Sequence, residues 1–147
     1  MSFYLTRMID CKESGYSHEE KHSMLNTVYS VFQMIFPNKD FGFWNDRLSK
    51  LNFFMALESA KMGNSEKAIE ELENMLKHVE DYRSFIEISH SSLLVNRIKI
   101  NQNKIAKSSE ETPAHSCLRY LNNNDKVFES IKNDPRYAGI KERLAVL

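Results

Sequence analysis

The sequence predicts an all-α fold built from antiparallel helix hairpins, with short capping helices at the C-terminal end. Three observations carry this. The 147 residues include only 4 Gly and 3 Pro, too few turn formers for a many-stranded β fold. Leu, Met, Lys and Glu, which favour helix, are plentiful. Apolar residues recur at helical spacing in blocks that end at Gly, Pro or Asn clusters. The length suits one domain, residues 1–147, able to bury a core. With 41% hydrophobic and 27% charged residues, the composition is that of a soluble protein.

Each element has a local reason. Phe3, Tyr4, Met8 and Cys11 predict a helix over 3–13. Gly15 then supplies a left-handed stop, and Ser17 caps a second helix over 18–36, with Leu25, Val28, Phe32 and Ile35 as its stripe. "PNKDFG" ends it. A third helix is predicted over 43–62, carrying Trp44, Leu48, Leu51, Met55 and Ala56. Gly63 breaks it, and Asn64 or Ser65 caps a fourth helix over 65–83. There Ala68, Ile69, Leu72, Met75, Leu76 and Val79 form the apolar stripe, and Glu66, Lys67, Glu70, Glu71 and Glu73 the solvated face. Residues 83–111 are partly irregular: "SFIEISHSSLLVNRIKI" has strand-like β-branched content, while Leu93, Leu94 and Ile98 fit a short helix. "NQNKIAKSSEE" reads as a loop. Thr112-Pro113 opens another helix, a short helix is predicted over 125–132, and Asp134-Pro135 opens the last, to about 146.

Several function classes are disfavoured. The 20 basic and 20 acidic residues cancel, so the basic excess typical of a nucleic-acid grip is missing. No run is apolar enough to cross a bilayer, and the N-terminus has no signal-peptide core, so a cytoplasmic protein is expected. Cys11 and Cys117 stand alone and read as free thiols of a reducing compartment. No Gly-rich phosphate loop or nucleophile elbow occurs, and "SHSS" at 89–92 lacks a third group to orient a base.

One motif does suggest chemistry. His18, Glu19 and His22 spell H-E-x-x-H, which on a helix places two histidines to hold Zn²⁺ with the Glu as general base. The competing reading is a capping box. Ser17 and Glu20 form S-x-x-E at a helix start, and acidic residues suit the positive end of the helix dipole. A zinc site also needs a third protein ligand. "HSMLNTVYS" supplies none, and Glu58 falls on a helix with repeat character. The capping box is the preferred reading, zinc hydrolase the alternative. No catalytic residue, metal or cofactor is assigned.

The stretch "NFFMALESAKMGNSEKAIEELENML" follows the tetratricopeptide helix-turn-helix pattern. Ala56 and Ala68 stand where helices approach closely, Gly63 at the turn, and Leu72 where a large residue fills the layer between repeats. Met75 replaces a usual small residue, and Glu80 the usual closing Pro. More widely, "FPNKDFGFWNDRLSKLNFFMALESAKMGNSEKAIEELENMLKHVEDY", then "HSSLLVN", then "FESIKNDPRYAGIKERL" resembles the C-terminal region of bacterial helix-turn-helix regulators of the xenobiotic-response-element (XRE) type. The resemblance covers roughly residues 30–145. It implies a tetratricopeptide-like sensor and dimerisation region in a transcriptional regulator, working as a homodimer. The DNA-binding head of that family is missing here, so no direct contact with nucleic acid is implied for these residues. The expected function is non-catalytic binding of a peptide or protein segment, or dimerisation. A stand-alone helical-repeat adaptor is the other binding-class reading. By the repeat register, Lys50, Phe53, Leu57 and Lys61 would line a concave face, the lysines meeting carboxylates and the apolar pair a side chain.

Overall fold

The computed structural model describes residues 15–84, 87–97, 99–101 and 111–147. The helix expected over 3–13, Cys11 and most of the polar loop at 101–111 lie outside them. Five α-helices make up most of the rest. Helix α1 is His18–Ile35. A 3-10 turn, Gly42–Trp44, leads into α2, Asn45–Lys61, and a tight turn leads into α3, Ser65–Ser84. After α3 come two three-residue strands, β1 (Glu87–Ser89) and β2 (Lys99–Asn101), paired antiparallel with Ile88 opposite Ile100. Helix α4 is Pro113–Asn123, a second 3-10 turn is Glu129–Ile131, and α5 is Pro135–Val146. Among the described residues, no helix is long and apolar enough to cross a membrane.

The helix boundaries follow local hydrogen bonding. Ser17, Thr112 and Asp134 each accept a backbone N–H of the helix they open, and Pro stands at the start of α4 and α5. The α2–α3 turn satisfies its own orphan groups. Gly63 takes φ +77°, a left-handed geometry that favours glycine. The Asn64 N–H donates to the Ser59 carbonyl, and the Asn64 side chain accepts from the Lys67 N–H.

Two expectations need correction. The helix expected over 125–132 is a run of turns closing in the 3-10 turn Glu129–Ile131. Asn124 accepts at its carbonyl from the Val127 N–H, which starts that turn run. Between the strands, residues 92–97 form turns rather than a helix, so the strand-like reading holds at the ends of the segment only.

The core has two parts. The larger lies between α2, α3, α4 and α5 and contains Phe53, Ala56, Ala68, Leu72, Met75, Cys117, Leu121, Phe128 and Ile140. The smaller joins α1 and the corner after it to α2, through Leu25, Phe36, Phe41, Leu48, Leu51 and Met55. The α2–α3 pair makes the most extensive helix contact in the fold. Ala56 and Ala68 are fully buried, as close approach of the helices requires. Within α5, a Cβ added at Gly139 would meet nothing within 4 Å. Gly139→Ala therefore removes a mid-helix entropy cost without a clash. It is expected to stabilise by about 0.5–1 kcal/mol, read as a rise in thermal midpoint.

Candidate functional site

The H-E-x-x-H segment is the N-terminus of α1, closed by a reciprocal capping box. Ser17 Oγ accepts from the Glu20 N–H at 3.2 Å, and Glu20 Oε2 accepts from the Ser17 N–H at 2.8 Å. Its histidines go to different carboxylates on different helices. His18 Nδ1 donates to Glu58 Oε2 of α2 at 2.6 Å, and Lys61 Nζ donates to the other oxygen at 2.7 Å. His22 Nε2 donates to Glu71 Oε1 of α3 at 2.5 Å, and Ser59 Oγ donates to Glu71 Oε2 at 2.7 Å. Among the described residues, no group of three His, Cys, Asp or Glu is placed to hold a metal ion. The arrangement instead fastens α1 to the α2–α3 hairpin.

This seam revises one reading. Glu71 had the sequence position of a solvated face but is buried, as is His22. A buried carboxylate needs a charged or donating partner, and His22 and Ser59 provide one for each oxygen.

A third histidine, His78 of α3, joins α1 to the hairpin. Asn45 Nδ2 donates to the Gly42 carbonyl, which leaves Asn45 Oδ1 as acceptor for His78 Nδ1 at 2.7 Å. The other ring nitrogen, Nε2, then accepts from the Tyr29 hydroxyl at 3.1 Å. The rings of Tyr29 and Phe41 stand edge-on to the imidazole. Burial, reinforced by neighbouring Lys77, pushes His78 down to about 4.

The four residues of the expected concave face do not form an open surface. Phe53 is buried, stacked on Tyr120 with ring centroids 5.3 Å apart and 6.1 Å from Phe128. Leu57 is buried beside it in the larger core. Lys50 pairs with Asp46 at 2.9 Å, and Lys61 with Glu58 at 2.7 Å. The C-terminal elements cover the apolar pair, and each lysine is engaged on its own helix.

Cys117 is also enclosed. Burial pushes its thiol up to about 11, so it stays protonated near neutral pH and is a poor nucleophile. A cleft of about 450 Å³ runs between α3 and α5, with Leu76 and Ile140 at its floor. Arg136 spans the two helices, meeting both carboxylate oxygens of Glu66 at 2.8 Å, and Arg143 meets Glu80. The cleft walls are thus largely committed to internal ion pairs.

One surface feature was not assigned from the sequence. Leu93 and Leu94 are 89% and 75% exposed. The loop that carries them is anchored: His90 Nδ1 donates to the Asp40 carbonyl at 2.6 Å, and the Ser91 N–H donates to Asp40 Oδ2 at 2.6 Å. Asn38 Nδ2 donates to Ser91 Oγ at 2.8 Å, and Val95 packs on the smaller core. The signal was the adjacent leucine pair itself. At helical spacing one of two neighbouring leucines faces away from any core, but periodicity does not say that both do.

Comparison with protein-family models, with curated proteins and with solved structures finds no match.

Proposed function

We propose that this chain is a non-catalytic interaction domain, acting in the cytoplasm as the sensor and dimerisation region of a bacterial transcriptional regulator of the XRE type. In this reading α2–α3 is a tetratricopeptide-like hairpin, and the domain presents its anchored "SLLVN" loop to a second copy of the chain. The observation that carries it is the exposure of Leu93 and Leu94 on a loop anchored by hydrogen bonds to Asp40 and Asn38. Two adjacent leucines left in water are unfavourable for an isolated domain, and a loop positioned by the fold offers them at low ordering cost. Internal pairing of the H-E-x-x-H residues and the enclosure of Cys117 favour binding over catalysis.

The test is self-association of the full chain by sedimentation equilibrium. Wild type is expected to dimerise, and Leu93→Asp with Leu94→Asp to raise the dimer Kd by at least about 10²-fold. That corresponds to losing on the order of 3 kcal/mol of apolar contact, with unchanged circular dichroism. A wild-type monomer, or a dimer indifferent to both changes, counts against this surface.

A further inference from the structure

We infer that acid releases α1 from the rest of the domain, with His78 as the proton-sensitive latch and the larger core left standing. The hydrogen-bond directions carry this. Asn45 offers His78 an acceptor, so Nδ1 holds the ring proton and Nε2 is the acceptor for the Tyr29 hydroxyl. A second proton on the ring must go to Nε2. It removes the acceptor that ties Tyr29 of α1 to α3 and leaves the phenolic O–H without that partner. The groups against the imidazole are Tyr29 from α1, Phe41 from the corner and Asn45 from α2. None is anionic, and the cation of neighbouring Lys77 adds its repulsion. The site therefore opposes a charged imidazole.

The placement makes the effect local. Four of the five histidines join α1 or the following corner to other parts of the fold, through Glu58, Glu71, Tyr29 with Asn45, and Asp40. The fifth, His115 on α4, is exposed. When α1 leaves, His78 is returned to water, where an imidazole takes a proton near pH ~6.5. The docked form holds it at about 4. Docking is thus at full strength above ~6.5 and weakens as pH falls from there toward 4, by on the order of 10²-fold in the docking equilibrium.

Trp44, the one tryptophan, lies 5.7 Å from the ring of Phe32 on α1 and reports the release directly. The full chain would be titrated from pH 7.5 to 4, following Trp44 fluorescence and helical circular dichroism together. The fluorescence transition is expected within this window while most of the helical signal persists. Coincident transitions overturn the inference, because they mean global unfolding. His78→Gln, neutral throughout, is expected to abolish the early transition, and an unchanged one overturns the latch. Tyr29→Phe keeps the test sharp should His78→Gln fold poorly. With no hydroxyl to bond Nε2 at any pH, docking starts weaker, less acid suffices for release, and the midpoint is expected to move to higher pH. A midpoint left in place overturns the role of this contact.

Discussion

Glu71→Ala is expected to destabilise the domain by about 3–5 kcal/mol. Glu71 reaches into the seam between α1, α2 and α3, where both of its oxygens are used, one by His22 and one by Ser59. Truncation leaves a buried imidazole and a hydroxyl without their acceptor, and the full desolvation penalty of each then appears. For a chain of this size the thermal midpoint is expected to fall by roughly 10 °C. The companion variant isolates the cause. His22→Leu combined with Glu71→Met replaces both partners by apolar groups of similar bulk, and is expected to recover most of the loss. Thermal unfolding followed by circular dichroism measures both. A Glu71→Ala cost under ~1 kcal/mol would mean that water already solvates the pair.

Phe128→Ala has the second large effect, about 3–5 kcal/mol. Phe128 is fully buried although it comes from the turns after α4. Its ring meets those of Phe53 and Tyr137, 6.1 and 5.9 Å away, so it ties α2 to α5. Removal leaves a cavity that three elements would have to close together. Denaturant unfolding is expected to show a lower midpoint at an unchanged slope. A small loss would indicate that the turn segment collapses into the space, and that the C-terminal cover of Phe53 is loosely held.

That cover explains why the expected binding face was not legible. Lys50, Phe53, Leu57 and Lys61 share a helix face, and repeat register alone makes that face concave and open. Nothing in the residues of α2 says that Tyr120 and Phe128, far along the chain, close over Phe53. The polar seam shows the same limit. Glu71 sits among glutamates with the spacing of a solvated face, and its partner lies 49 residues earlier. The turns at 124–131 read as a helix because their apolar spacing imitates one, yet Phe128 and Ile131 are both drawn into the core.

What the sequence determined by itself was local: the capping box at Ser17, the glycine turn at Gly63, the starts at Thr112-Pro113 and Asp134-Pro135, and the stripe of α3. These rest on backbone groups and side chains within about one helical turn of each other, so neighbouring residues suffice to specify them. Only the tertiary structure decided what those elements face. It turned H-E-x-x-H into two separate tethers, buried Phe53, exposed Leu93 and Leu94, and closed Tyr29 on His78. Burial and charge pairing depend on which distant surfaces meet. That is a property of the packed whole, and no local spacing encodes it.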